Sequence, residues 1–302
     1  MQRSSKWLVA MATVIVLGGV ALLAKGVIGS ESASATYLTG GASTASPSPS
    51  PTGPSKEELA KAAWDKKAKS LETALTKYAA TVPEFSVAVL DKKTGLTYAF
   101  RGDEKYETAS IVKVQVLACL LLTAQDAGRK VTTQEDGWAK LMIRNSDNDA
   151  TIALFAHLGK QSAIQKCDKR MGLTQTTVNK SWGLTTTTVK DQVKLLAQLV
   201  SDKSPLTAAS RKYAHTLMST VNPAQQWGVP AAAKDGEEFT VKNGWLSRST
   251  ENNLYIINSV GRVTGDDTDV SIAVLSHRNK SEVSGHKLVE TAAKMTRTYL
   301  KY

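Results

Sequence analysis

The sequence predicts an α+β fold in which a long helical stretch interrupts a sheet. Three observations point there. Trp64, Ala68, Leu71, Leu75 and Tyr78 recur at helical spacing and give an opening helix one apolar face. Strand-like alternation follows at once, over residues 85–90 and 96–100, then returns only over 240–246, 254–260 and 270–276. The middle of the chain reads as helix and loop, and an amphipathic helix over 281–299 closes it, as expected of a helical lobe inserted into a sheet. Of the 302 residues 42% are apolar, which fits a globular chain. About 250 residues remain beyond the N-terminal segments, enough for one large domain with a real core.

Residues 1–35 read as an export segment. Arg3 and Lys6 give a basic start, residues 7–24 are an uncharged apolar run, and Ala33-Ser34-Ala35 offers a small-residue cleavage site. The run is long for a cleaved signal and just long enough to span a bilayer, so signal peptide and signal anchor both stay open. No cysteine lies near it, which excludes a lipid-modified N-terminal cysteine. Either way the rest of the chain is expected outside the cytoplasm, secreted or anchored. Residues 36–54 form a Ser/Pro-rich linker, extended and semi-rigid through Ser46-Pro47-Ser48-Pro49-Ser50-Pro51. The folded domain is expected over 55–302.

Ser55 can cap the first helix, with Glu57 and Glu58 in its first turn and Pro83 beyond its end. Residues 91–95 make the turn of a hairpin. Helices are expected from Ser110 to about Asp126, then over 137–143, 149–158, 162–171, 186–201 and 205–220, with Gly128, Gly159 and Gly172 as stops. Residues 173–185 read as a polar loop.

The chemistry concentrates at the mouth of the Ser110 helix. Ser110 and Lys113 are three residues apart and share a helix face. A serine hydroxyl needs a base to become a nucleophile, and a lysine whose pKa is lowered by burial can be that base. The pattern recurs at Ser284 and Lys287, but only a terminal helix follows that copy. The first copy is followed in order by Ser146-Asp147-Asn148 and then by Lys242-Asn243-Gly244, next to a strand. Alone, the first of these is an ordinary capping turn and the second an ordinary strand end.

Together, over about residues 56–302, the three elements resemble the class A β-lactamases and penicillin-binding proteins. The resemblance implies a five-stranded antiparallel sheet, the first and last helices on one face, an all-helical lobe on the other, and the site in the cleft between. It implies a serine hydrolase that cleaves an amide through an acyl-enzyme at Ser110. Lys113 would take the serine proton, and Ser146 would relay one to the leaving nitrogen. Lys242 would steady Ser146 and attract the substrate carboxylate, while Asn148, Asn243, Gly244 and Trp245 would meet the substrate. The Ser110 N–H and that of Trp245 or a near neighbour would form the oxyanion hole.

Three departures from the family pattern stand out. Between Gly172 and Lys190 there is no Asp or Glu, where class A enzymes carry their deacylating glutamate; Asp168 and Asp191 only flank the gap. Asn243 replaces the family Thr or Ser, and the bulky Trp245 follows Gly244. The interval from Ser110 to Ser146 is short, so the cleft should be more open on that side. An acyl-enzyme should form and persist.

The expected substrate is a small-molecule β-lactam or a peptidoglycan-type peptide, with a D,D-peptidase or a catalytically degenerate wall-binding domain as alternatives. The net charge of +11 has no nucleic-acid motif beside it, and in an exported protein it points to the anionic cell envelope. His157, His215, His277 and His286 are scattered and Cys-His spacing is absent, so neither metal nor other cofactor is expected. The expected state is a monomer. Cys119 and Cys167 can pair in an oxidising compartment, but their sequence positions do not bring them together.

Overall fold

The computed structural model describes residues 53–302. The export segment, and all of the linker but its last two residues, lie outside them. The first helix, α1 (Lys56–Ala79), opens on a reciprocal cap. Ser55 Oγ accepts from Glu58 N, and Glu58 Oε2 accepts from Ser55 N at 2.7 Å. The hairpin β1 (Phe85–Asp91) and β2 (Thr97–Phe100) comes next, followed by the short strand β3 (Tyr106–Glu107). The lobe then runs through α2 (Val112–Asp126), α3 (Thr133–Arg144), α4 (Asn148–His157) and α5 (Lys160–Arg170). After the short β4 (Thr186–Thr187) come α6 (Val189–Gln198) and α7 (Ala208–Ser219). Three long strands, β5 (Glu238–Arg248), β6 (Leu254–Thr264) and β7 (Asp269–Asn279), lead to α8 (Glu282–Leu300).

The five-stranded sheet has the order β2-β1-β7-β6-β5, every neighbouring pair antiparallel. Strand alternation divides the interior in two. Val87, Val89, Ile272 and Val274 pack with Leu71 and Leu75 of α1 and with Leu288, Val289 and Ala292 of α8. Ala88, Ala273, Leu275 and Val260 face the lobe, whose centre is α2. All of α2 except Thr123, Gln125 and Asp126 is buried, which explains an apolar run with no polar face. Cys119 of α2 and Cys167 of α5 are joined by a disulfide, closing the pairing that the sequence left open.

Several element ends differ from the sequence reading, two of them by three or four residues for a reason visible in the caps. The helix expected from 186 begins at Val189, because Thr188 caps it and Thr186–Thr187 pairs instead with Tyr106–Glu107. A two-residue strand carries no period to read. The helix expected from 137 begins at Thr133, on a cap in which Thr132 and Glu135 exchange hydrogen bonds.

The lobe buries three carboxylates, Glu135, Asp168 and Asp191. Glu135 pairs with Arg129 at 2.7 Å. Asp191 accepts from Gln175 N (2.7 Å) and Thr176 Oγ1 (2.8 Å), which ties the polar loop to α6. Asp168 accepts from Gln115 Nε2 of α2 at 2.8 Å. Burial pushes the Asp168 carboxyl up to about 7; the Gln115 bond opposes the shift and the nearby Asp191 charge adds to it. The folded value thus lies above the roughly 3.9 of an unfolded aspartate. Asp168 therefore costs nothing below pH 4, takes stability away as pH rises from about 4 to about 7, and costs a constant amount above. Asp168→Asn keeps an acceptor for Gln115. It should raise the unfolding free energy at pH 8 by on the order of 2–4 kcal/mol, and change little at pH 4. Equal or lower stability of the variant at pH 8 would count against the assignment.

Candidate active site

Ser110 sits in a 3-10 turn, Ala109–Ile111, that leads into α2, rather than on the α-helix itself. Two neighbours fix this turn. From β6, the buried Asn258 donates through Nδ2 to Glu107 O (2.9 Å) and Thr108 O (3.0 Å). From β5, Gly244 lies so close that a Cβ there would stand 2.7 Å from Ser110 N and 2.8 Å from Ile111 N. Only glycine lets the strand approach the serine turn. Ala109, just before the serine, holds φ 45°, a left-handed conformation that alanine seldom adopts.

One turn into α2, Lys113 is fully buried. Its Nζ donates to Ser146 O (2.6 Å), Ser146 Oγ (3.1 Å) and Asn148 Oδ1 (2.9 Å). Lys242, on β5, is buried as well; its Nζ donates to Ser146 Oγ (2.9 Å) and Asn243 O (2.7 Å). Ser146 lies in the turn before α4 with φ 57°, and Asp147 caps that helix at Ala150 N (2.7 Å). Three widely separated segments thus meet at one hydroxyl. The Ser110 hydroxyl makes no hydrogen bond among the described residues, to Lys113 or to any other group. It faces the cleft.

Two amines on one hydroxyl, with no carboxylate bonded to either, favour loss of a proton from the pair. Burial pulls Lys113 down to about 8, with the Asp147 charge opposing. Burial, and then the Lys113 charge, hold Lys242 well below the ordinary lysine range. A neutral amine here can accept a hydroxyl proton, which an ammonium cannot.

The cleft beside Ser110 has a volume of about 800 Å³. Asn148 and Trp245 line it, with Ile152 and Phe155 of α4 and the loop segment Lys180–Leu184 opposite the end of β5. No Asp or Glu lines it among the described residues. Asp168 and Asp191 are committed to the lobe interior. Asn243 turns the other way on β5: it is buried, and its Nδ2 donates to Gln225 O (2.8 Å) and Trp227 O (2.9 Å). It braces the strand and does not line the cleft. Trp245 packs edge-on to Trp227 (centroids 6.2 Å apart), which stacks on His286 at 3.8 Å. The second serine–lysine copy is consumed by helix capping, since Ser284 exchanges hydrogen bonds with Ser281 at the start of α8.

Two residues of the site escape the sequence reading. Trp182, in the polar loop, places its ring 5.0 Å from Lys113 Nζ. A lone tryptophan in a loop rich in Thr and Ser gives no periodic signal. Asn258 interrupts an apolar strand, and a polar residue at such a position flags backbone groups needing a partner.

Among solved structures, the TLA-1 extended-spectrum β-lactamase superposes with a TM-score of 0.71 at 16% identity, over 78% of this chain and 100% of that one. An ancestral class A β-lactamase gives 0.66 at 18% identity, over 76% and 99%. A β-lactamase from Xanthomonas campestris gives 0.64 at 15%, over 81% and 98%. At such identities the likeness is one of fold. Curated relatives from Mycobacterium tuberculosis and Mycobacterium bovis, each named "Putative lipoprotein LppW", are 27% identical over 173 residues, which is 53% of this chain. The chain spans about half the length (54%) of these curated relatives. The sequence model of the β-lactamase enzyme family matches residues 124–302, a stretch that starts after the Ser110 turn and includes Ser146 and Lys242. That stretch is more than half of the chain, and with the class A fold around it the protein belongs to the β-lactamase enzyme family.

Proposed function

We propose that this protein is an exported serine hydrolase, acylated at Ser110 by a β-lactam or a related cell-wall amide, and slow to release the acyl group. The observation that carries the reading is the Lys113–Ser146–Lys242 cluster beside a cleft without a carboxylate. Neutral Lys113 takes the Ser110 proton, directly or through water, as Oγ attacks the carbonyl carbon. The Ser110 and Trp245 N–H groups receive the oxyanion. Ser146 passes a proton to the leaving nitrogen and is resupplied through the two lysines. Asn148 gives its Oδ1 to Lys113, so its Nδ2 is available to donate to the acyl side chain of the substrate. Lys242 takes the carboxylate on the leaving side, whose negative charge restores the ammonium that burial otherwise disfavours. Gly244 allows the close approach of β5, and Asn243 holds that strand in place.

Hydrolysis of the ester needs a base for water, and general-base help is worth about 10²–10⁴-fold. With no carboxylate on the cleft wall, the acyl-enzyme should outlive its formation. Incubation with a fluorescent penicillin, followed by mass spectrometry of the Ser110 peptide, should show a stable adduct and little turnover. The absence of any adduct would sink the proposal; rapid turnover would sink only its second half.

Gly244→Ala offers a sharper test of the geometry. The added methyl meets backbone atoms and not a yielding side chain, so β5 must withdraw from Ser110. Displacement of about 1 Å at a reacting group can cost roughly 10²-fold. Acylation should fall by about that factor; a rate within threefold of the parent would refute the close-approach argument.

Export is supported by the apolar run 7–24, the Ser/Pro segment and a disulfide of the kind that persists in oxidising compartments. The mycobacterial relatives are named as lipoproteins. In this chain the two cysteines pair with each other, so the attachment proposed is the apolar segment itself, cleaved or retained.

A further inference from the structure

The charge on the cleft wall is one-sided. Lys160, the first residue of α5, and Lys180, in the loop before Trp182, both line the cleft on the lobe side of Ser110. Both are exposed, and neither has a carboxylate within 4 Å among the described residues. Arg248, on the opposite wall, is already neutralised by Glu107 at 2.9 Å. The same cleft has an apolar lining that includes Ile152 and Phe155. Ile152 is 55% exposed and offers this apolar surface to the cleft, beside the buried Phe155 of the same helix.

The position of these groups along the substrate follows from the proposed chemistry, on which this inference rests. Lys242 and β5 take the leaving side. Asn148 marks the acyl side, and the two lysines lie on that same side. We propose that the preferred substrate is an amide whose acyl arm is apolar near the scissile carbonyl and ends in a carboxylate, recognised by Lys160 and Lys180. Such a molecule carries negative charge at both ends, one for Lys242 and one for the lobe. The excess of cations over the whole chain adds long-range attraction but does not discriminate between two substrates of one shape.

A matched pair of probes isolates the second charge: a cephalosporin with a glutaryl amide arm, and the methyl ester of that arm. The second-order rate of Ser110 acylation of the full-length protein is measured for each. The free acid should react on the order of tenfold faster at low salt, and the ratio should shrink as ionic strength rises, as expected for exposed charge pairs. In the double variant Lys160→Asn, Lys180→Gln the ratio should collapse towards one. Asparagine is chosen at 160 because that position holds φ 58°. Equal rates for the two probes in the parent protein, or a preference that survives in the double variant, would overturn the inference and leave the acylation reading standing. Failure of both probes to label Ser110 would overturn the two together.

Discussion

Replacing Lys113 with methionine should slow acylation of Ser110 by about 10²–10⁴-fold and abolish its dependence on pH near 8. In the parent protein the base must be neutral to act. The rate should therefore climb with pH through the value of about 8 to which burial holds Lys113, and level off above it. Methionine keeps the bulk of the side chain but leaves Ser146 O and Asn148 Oδ1 without a donor, so some loss of stability is expected as well. Lys113→Arg separates the two effects. Arginine can still donate to those oxygens, yet it stays protonated at any working pH. If Lys113 is the base, the arginine variant is nearly as slow as the methionine variant even when its melting temperature is close to that of the parent. Acylation within a few-fold of the parent in both variants, or a flat pH profile in the parent, would remove Lys113 from the base role.

The residues of this cluster were legible in the sequence because each carries a local signature that survives without coordinates. Ser110 opens an apolar run, Ser146-Asp147-Asn148 reads as a cap, and Lys242 sits next to strand-like alternation. The long helices and strands were legible for the same reason, since buried faces impose a period on the chain. What was illegible depends on contacts between distant segments. Asn243 looked like a substrate contact because its neighbours Lys242 and Gly244 belong to the motif, but strand alternation turns it towards the carbonyls of Gln225 and Trp227. Trp182 approaches Lys113 because the loop is held against the serine turn, by Thr185 O accepting from Thr108 N (2.8 Å) and by the pairing of Thr186–Thr187 with Tyr106–Glu107. No residue near Trp182 announces those contacts.

The disulfide belongs to the same class of feature, and removing it should have the largest effect on stability. Cys119 and Cys167 are 48 residues apart, and opening that loop returns to the unfolded chain an entropy worth about 4 kcal/mol in the loop-closure estimate. For a domain of this size each kcal/mol moves the melting temperature by roughly 2–4 °C, so Cys119→Ala, Cys167→Ala should melt about 10 °C lower. Alanine is preferred to serine because Cys119 is buried among the apolar side chains of α2, where a hydroxyl would add a cost of its own. The bond also has a position beside the cleft. It joins the helix that begins just after Ser110 to the helix that begins with Lys160, and so ties the Ser110 turn to the lobe side of the cleft. Acylation by a penicillin with an uncharged acyl arm depends on the Lys113–Ser146–Lys242 cluster, which the bond does not touch, and should change less than the carboxylate preference does. A double variant that melts within 2 °C of the parent would show that the packing of α2 against α5 holds the lobe together without the crosslink.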